Sequence, residues 1–243
     1  MKFSKLLLCG FFIAACIVIL AFTLWANTAM GPAPEAFAGL RSDEHVTVSV
    51  DRFIQFQPAG KRVTTGFVFY PGGRVDYRSY AVPLRQIAAE GYLVILLPVR
   101  LNLAFFDINA ADRAIRAFPE IQHWVVGGHS LGGVAAALYA EQQENLDGVV
   151  FWASYPANDS LRNSDVKVLS IYGTLDMNGL DRFDASHADL PEDTEFLSIE
   201  GGNHAQFGDY GLQPGDNKAT ITRLEQQKQI VDATVKFLKE VSD

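Results

Sequence analysis

Three polar residues have the types and the spacing that nucleophilic catalysis requires. Ser130 lies in the pentapeptide Gly-His-Ser-Leu-Gly at 128–132, which matches the pattern G-x-S-x-G. This pattern is typical of a sharp turn between a strand and a helix, where flanking glycines leave room for a serine in a strained backbone conformation. A serine hydroxyl is a poor nucleophile at neutral pH, so it needs a histidine as base and a carboxylate that orients this histidine.

Asp176 and His204 are the candidate acid and base. Asp176 follows the apolar run 166–172, and His204 follows the run 194–199, just as Ser130 follows an apolar run of its own. Because ligands in open α/β sheets bind beyond the carboxyl ends of the strands, we expect the three side chains at one edge of a sheet. The order Ser, Asp, His along the chain is the one expected of a triad in this architecture.

Backbone N–H groups must also stabilise the oxyanion that forms when a carbonyl is attacked. The amide of Leu131 begins the predicted helix, where unpaired N–H groups favour negative charge. The second donor is expected in the sequence Pro-Gly-Gly at 71–73, with Gly73 preferred and Gly72 as the alternative. A plain turn without a catalytic role is the competing interpretation of this Gly-Gly pair.

Other polar residues compete for these roles. Asp159 is the alternative to Asp176, because the acid can follow the preceding strand instead. His129 precedes Ser130, but its side chain should face away from the hydroxyl, so packing or hydrogen bonding is expected of it. Three further histidines lie in no motif and are expected to be structural or at the surface: His45, His123 and His187.

The surrounding chain alternates between β-rich runs and helical stretches. Near-continuous runs of Val, Ile, Leu and Phe indicate strands covered on both faces, and alternation of β with α predicts a mostly parallel α/β sheet flanked by helices. The predicted strands are 46–50, 53–56, 66–70, 92–97, 123–126, 147–153, 166–172 and 194–199. Helices are predicted at 80–90, at 110–118, directly after Ser130, and after a capping box at 222–225.

Two loops bear on access to the serine. The span between 153 and 166 is too short for an inserted helical cap, which predicts an open pocket. Phe105 and Phe106 follow another strand end and could either form an apolar wall of the pocket or pack into the core.

The N-terminal segment 1–26 contains a long run without charged residues, preceded by Lys2 and Lys5. Its length suits a membrane-spanning helix, and we predict a single-pass anchor. No further Lys or Arg precedes Arg41, so the positive-inside rule places the catalytic domain outside the cytoplasm, at the cell membrane. Secretion after cleavage near 26–29 and lipid anchoring at Cys16 are the alternatives.

The rest of the chain divides into two parts. A stretch with the sequence Gly-Pro-Ala-Pro and little periodicity predicts a linker at 27–44, and a single catalytic domain is expected at 45–243.

The net charge of −8 without a basic cluster argues against nucleic acid as a partner. Both cysteines, Cys9 and Cys16, precede the domain, which excludes a disulfide or a cysteine nucleophile within it.

Three motifs together resemble the α/β-hydrolase superfamily, in a small, single-domain esterase-like branch related to the dienelactone hydrolases. They are the sequences at 127–133, 172–176 and 201–208, the last of which is distinctive of bacterial members of unassigned substrate. The resemblance covers about 45–243. It implies an eight-stranded sheet with little or no cap domain, and triad roles for Ser130, Asp176 and His204. The chain departs from the dienelactone hydrolases proper in having serine rather than cysteine as the nucleophile.

A carboxylic-ester hydrolase that acts through an acyl-enzyme is the function predicted from these residues. Its partner would be a small-molecule ester, and the mechanism requires neither a cofactor nor a metal. An acyltransferase or peptidase with the same triad remains open, as does a noncatalytic membrane-anchored binding domain, because the fold alone does not separate these functions.

Overall fold

A computed structural model describes residues 2–60 and 62–242. Its strands form one sheet in the order β1-β2-β4-β3-β5-β6-β7-β8. β2 runs antiparallel to both of its neighbours, and every other pair from β4 to β8 is parallel. The bounds are β1 Val46–Val50, β2 Ile54–Pro58, β3 Thr65–Tyr70, β4 Leu93–Leu96, β5 His123–His129, β6 Gly148–Trp152, β7 Lys167–Gly173 and β8 Glu195–Ile199. The predicted mostly parallel, eight-stranded α/β sheet is confirmed.

Helices cover both faces of the sheet. The helix bounds are α1 Lys2–Asn27, α2 Ala81–Ala89, α3 Ala111–Ile115, α4 Leu131–Ala140, α5 Leu180–Ser186 and α6 Arg223–Ser242. In β3, Phe67 and Phe69 pack with residues of α2 and α6, whereas Val68 and Tyr70 pack with residues of α3 and α4. All four are fully buried, since both faces of the strand are covered. This burial explains why the central strands are continuously apolar.

The helix α6 begins at the predicted capping box. The Glu225 backbone N–H donates to Thr222 Oγ1, and the Thr222 N–H donates to the Glu225 carboxylate at 2.8 Å. The helix α3 is shorter than the predicted 110–118, because a 3₁₀ helix ends at Ala110 and the chain leaves the α-helix in a turn after Ile115. The predicted helix at 80–90 begins as a 3₁₀ turn at Tyr77–Tyr80 and continues as α2.

The sheet reverses its strand order at β3. From β3 the chain moves to β4 on one side, and then returns to β5 on the other side. In open α/β sheets, the crevice at the carboxyl ends of two such strands is the usual ligand site. Here it lies between the Gly-Gly loop that follows β3 and Ser130, which follows β5. No helical cap is inserted above it, since the chain from Trp152 to Lys167 contains only turns and bends.

The segment predicted as a linker contacts the domain along its length. Met30 forms a bridge with Val75, and the Ala33 N–H donates to the Asp209 carbonyl at 2.6 Å. A short 3₁₀ helix follows at Pro34–Ala38, and Gly39 then approaches the backbone of α2 so closely that a Cβ would lie 2.6 Å from it. The segment is therefore held in place by packing and backbone hydrogen bonds.

Within α1, the stretch Leu7–Asn27 is long and apolar enough to cross a membrane. Its side chains are largely exposed, unlike those of a helix in the core of a soluble domain. A secretory signal near the N-terminus has the same properties, so length and composition alone leave both interpretations open.

Candidate active site

Ser130 occupies the turn between β5 and α4 in a strained conformation, with φ 52° and ψ −121°. The turn is tight. A Cβ on Gly128 would lie 2.3 Å from the Gly132 carbonyl carbon, and a Cβ on Gly132 would lie 2.3 Å from the backbone carbonyl oxygen of Tyr70. Glycine at both positions is therefore a steric requirement of the turn. The Ser130 side chain stays partly exposed at the tip.

His204 and Asp176 form a buried hydrogen-bonded pair. His204 Nδ1 lies 2.9 Å from Asp176 Oδ2, and both side chains are at most 1% exposed. Because an ionised carboxylate only accepts, Nδ1 carries the proton in this pair and Nε2 keeps its lone pair. This is the tautomer that a general base requires.

Two residues that the sequence did not single out for this role hold the pair in position. Asn178 donates its backbone N–H and its side-chain amide to Asp176 Oδ1, both at 2.9 Å. Asp216 accepts the backbone N–H groups of His204 and Ala205, at 3.3 and 2.8 Å. Neither residue belongs to a sequence motif, so only the three-dimensional contacts identify them.

A shallow cleft opens beside the serine. Its volume is about 180 Å³, and it is lined by Ser130, Leu131, Val134, Ala153, Ser154, Tyr155 and Asn178. Within the described residues, the Ser130 hydroxyl makes no hydrogen bond to His204. Such bonds are often long or misaligned in a free enzyme and tighten when substrate binds.

The two glycines after β3 differ in the state of their backbone N–H groups. The Gly72 N–H donates to Tyr80 Oη at 3.1 Å. By contrast, the N–H groups of Gly73 and Leu131 have no partner among the residues that the structure describes. A Cβ on Gly73 would lie 3.1 Å from Leu131 Cδ2, so the two unpaired donors belong to adjoining residues. This arrangement favours Gly73 over Gly72 as the second oxyanion donor.

A buried hydrogen-bond chain connects the Gly72 loop to the backbone of His204. His129 Nε2 lies 3.1 Å from the His204 carbonyl oxygen, and His129 Nδ1 lies 2.8 Å from Tyr80 Oη. A carbonyl only accepts, so Nε2 donates to it and the neutral ring accepts from Tyr80 at Nδ1. These hydrogen bonds thus connect Gly72 through Tyr80 and His129 to His204. His129 both packs and forms hydrogen bonds, and the sequence did not indicate Tyr80.

His129 is fully buried, and this burial lowers its pKa well below the usual value for histidine, with the nearby His204 adding to the effect. Below about pH 6.5 the unfolded chain binds a proton at this imidazole that the folded chain does not bind. This residue's contribution to the free energy of unfolding is therefore complete above about pH 6.5. It decreases by up to about 1.4 kcal/mol per pH unit as the pH falls below that value.

The free energy of unfolding of the wild type exceeds that of His129→Gln, and we expect this difference to decrease by about 1 kcal/mol as the pH falls from about 7.5 to 5.5. Glutamine does not titrate, so the difference between the two proteins isolates this histidine from the other groups that ionise. Urea unfolding of both full-length proteins at the two pH values measures the change. An advantage that stays constant across this range would contradict a neutral, buried His129.

The remaining candidates lie elsewhere. Asp159 is exposed and makes no hydrogen bond to His204 among the described residues. Three histidines pair with other groups: His45 with Glu44, His123 with Asp147, and His187 with the ring of Phe196. Within residues 2–60 and 62–242, no three His, Cys, Asp or Glu side chains gather as potential metal ligands.

Several solved structures share this fold at low sequence identity. A dienelactone hydrolase from Anabaena variabilis is 16% identical, with a TM-score of 0.63 over 81% of this chain and 98% of that one. The esterase domain of a Rhodothermus marinus protein is 14% identical, with a TM-score of 0.58 over 77% and 92%. Thermogutta terrifontis esterase 2, phosphoramylated by tabun, is 15% identical, with a TM-score of 0.57 over 83% and 96%.

Sequence comparison assigns the family. No curated protein matches the chain. The sequence model of the family described as "Alpha/beta hydrolase family", however, matches residues 66–228, which include Ser130, Asp176, His204 and the two loops that contain Gly73 and Leu131. Together with the eight-stranded sheet and the strained serine turn, this match shows that the chain belongs to the α/β-hydrolase family.

Proposed function

We propose that this chain is a serine hydrolase that cleaves carboxylic esters through an acyl-enzyme, with Ser130 as nucleophile, His204 as base and Asp176 as the orienting acid. The buried hydrogen bond between His204 Nδ1 and Asp176 carries the proposal, because it prepares His204 Nε2 to accept a proton. Membership of the hydrolase family supports it.

In the acylation step, Ser130 Oγ attacks the ester carbonyl while His204 Nε2 takes the hydroxyl proton. Asp176 stabilises the imidazolium that forms. The N–H groups of Leu131 and Gly73 donate to the negative oxygen of the tetrahedral intermediate. His204 then gives its proton to the leaving alcohol oxygen as the carbon–oxygen bond breaks, which leaves the acyl group on Ser130.

Deacylation repeats these steps with water. His204 Nε2 removes a proton from a water molecule that attacks the acyl carbonyl, and the same two N–H groups stabilise the second intermediate. Collapse of this intermediate returns the proton to Ser130 Oγ and releases the carboxylic acid. The open, capless cleft leaves access for water, which supports hydrolysis over transfer to another acceptor.

The N-terminal helix completes the proposed organisation. We infer a single-pass anchor at 1–26, a connecting segment at 27–44 and a hydrolase domain at 45–243, with the domain outside the cytoplasm. Arg74 and Asn102 of the domain donate hydrogen bonds to the carbonyls of Trp25 and Ala26 in the last turn of α1. Cleavage near 26–29 would break this contact, so it supports a retained helix.

Covalent labelling tests the proposed nucleophile. A fluorophosphonate probe should modify the wild type at one site, which peptide mass spectrometry should identify as Ser130. Labelling should be lost in Ser130→Ala. Ser160→Ala is the matched control, because Ser160 is exposed and lies outside the lining of the cleft, so labelling should stay in place. An intact protein that does not label would refute the serine hydrolase.

Product analysis then separates ester hydrolysis from related reactions. A series of p-nitrophenyl esters of graded acyl length should give one clear optimum, with release of the free acid. Faster cleavage of amides, or transfer of the acyl group to an added alcohol or amine in preference to water, would favour the peptidase or the acyltransferase instead.

A further inference from the structure

The last turn of α1 is attached to the loop that follows β3. The Arg74 guanidinium donates to the carbonyls of Trp25 and Thr28 at 3.1 and 2.9 Å, and lies 4.4 Å from the centre of the Trp25 ring. Asn102 Nδ2 donates to the Ala26 carbonyl at 3.2 Å. Carbonyls in the last turn of a helix lack helical N–H partners, so these side chains cap the helix end.

This attachment includes the proposed oxyanion loop itself. Arg74 directly follows Gly73, and the Arg74 N–H donates to the Asn102 carbonyl at 2.7 Å. The Met30 N–H, beyond the helix end, donates in turn to the Arg74 carbonyl at 2.7 Å. Arg74 and Asn102 both have positive φ, 56° and 52°, a conformation that persists only where contacts hold it. The end of α1 is therefore held against the domain next to the cleft.

Exposed apolar side chains are distributed along the same edge of the sheet. They lie in the loops and short helical segments that follow β4, β7 and β8, and they are Phe105, Phe106, Met177, Leu180 and Leu212. Because β4, β7 and β8 run in one direction, their carboxyl ends lie at the edge that carries Ser130. We call these five residues the apolar rim.

The rim continues onto the helix. The Phe106 ring lies 5.9 Å from the ring of Phe22 in α1, in an edge-to-face arrangement, and Phe22 lies 5.7 Å from Trp25. Tryptophan near the end of a spanning segment marks the level of the lipid headgroups. Trp25 contacts Arg74, so the headgroup level lies at Arg74 and beside the cleft. An apolar rim at that level is what a membrane-facing surface requires.

We infer that the carboxyl edge of the sheet, with the mouth of the Ser130 cleft, faces the bilayer that holds α1, and that the substrate is an ester carried by a membrane amphiphile. The substrate class rests on the proposed ester hydrolysis, whereas the placement of the edge does not. The cleft volume of about 180 Å³ is below the roughly 300–1,000 Å³ of typical small-molecule sites. It holds the part of the substrate next to the scissile bond, while the apolar remainder stays in the bilayer.

Spin labelling of the full-length chain tests the placement without using activity. The two cysteines are replaced by alanine, and a nitroxide is attached at Leu212→Cys or at Leu224→Cys, with the protein in phosphatidylcholine vesicles. Leu212 of the rim is 87% exposed, and Leu224 at the start of α6 is a matched control at 69%. We expect relaxation by oxygen to dominate at 212 and relaxation by an aqueous nickel chelate to dominate at 224. Chelate-dominated relaxation at both positions would overturn the placement.

Kinetics in the same vesicles test the substrate class. The acyl group that gives the fastest p-nitrophenyl ester is also offered as a hexadecyl ester embedded in the membrane. Leu212→Asp should slow hydrolysis of the hexadecyl ester at least roughly threefold, since it puts a charge where an apolar side chain meets lipid. The same variant should keep the p-nitrophenyl ester rate, and Leu224→Asp should change neither rate.

The outcomes separate the two claims. Hydrolysis of the soluble ester without hydrolysis of the hexadecyl ester would overturn the substrate class and leave the proposed function in place. Equal losses in Leu212→Asp and Leu224→Asp would also overturn it. If the soluble ester is not cleaved either, the proposed function itself fails, and the spin-label result still decides where the rim lies.

Discussion

Ser130→Ala is expected to lower kcat for ester hydrolysis by a factor of roughly 10⁴ to 10⁶, with a much smaller change in KM. In the proposed mechanism, removal of the hydroxyl abolishes the acyl-enzyme, while the cleft and the two proposed oxyanion donors remain in place to bind the ester. The residual rate reflects water attack on a bound ester beside His204. Steady-state kinetics with the best p-nitrophenyl ester, together with the loss of any acyl-enzyme burst, measure this effect.

The alanine variant should fold as the wild type does, because it keeps the Cβ and therefore the same strained φ of 52°. Urea unfolding provides the control, and the free energies of unfolding should agree within about 0.5 kcal/mol. Retention of more than about a tenth of wild-type kcat in a folded Ser130→Ala protein would assign the chemistry to another group.

Asp176→Asn is expected to lower kcat by roughly 10³ to 10⁴. In the proposed mechanism, the carboxylate holds the proton on His204 Nδ1 across a 2.9 Å hydrogen bond and stabilises the imidazolium formed during attack. An amide of the same shape carries no charge and can donate to Nδ1, which selects the tautomer with the proton on Nε2. That tautomer cannot accept the serine proton. Steady-state kinetics measure kcat of Asp176→Asn as a function of pH. Part of the lost rate should return at alkaline pH only if hydroxide replaces His204 as the base.

Asp159→Asn is the matched control, since it makes the same chemical change at the alternative acid. Asp159 is exposed and is not bonded to His204 among the described residues, so we expect kcat to stay within about twofold of the wild type. A larger loss in Asp159→Asn than in Asp176→Asn would reverse the assignment of the acid.

Local sequence patterns predicted most of the fold. The continuous apolar runs predicted strands covered on both faces, and the burial of Phe67, Val68, Phe69 and Tyr70 in β3 shows the reason. The pattern G-x-S-x-G predicted the strained turn, because its steric requirements lie within five consecutive residues. The capping box of α6 is equally local, since its hydrogen bonds join residues three apart.

Contacts between distant segments favour particular members of the pairs that the sequence left open. Two aspartates follow neighbouring strands, and only the hydrogen bond from His204 distinguishes Asp176 from Asp159. Gly72 and Gly73 are equivalent by type, and they differ because Tyr80 takes the Gly72 N–H. The phenylalanines at 105 and 106, which could have packed into the core, are exposed at the rim beside α1.

The sequence by itself thus determined which chemical groups are present and which strand ends carry them, because strand, turn and helix patterns depend on neighbours within a few residues. The tertiary structure decided which of these groups meet. The packing of the connecting segment on α2 and the attachment of α1 to Arg74 and Asn102 depend on residues some 42 to 76 positions apart. No periodicity or motif within a short window encodes a contact of that range, which forms only when the sheet brings its loops to a common edge.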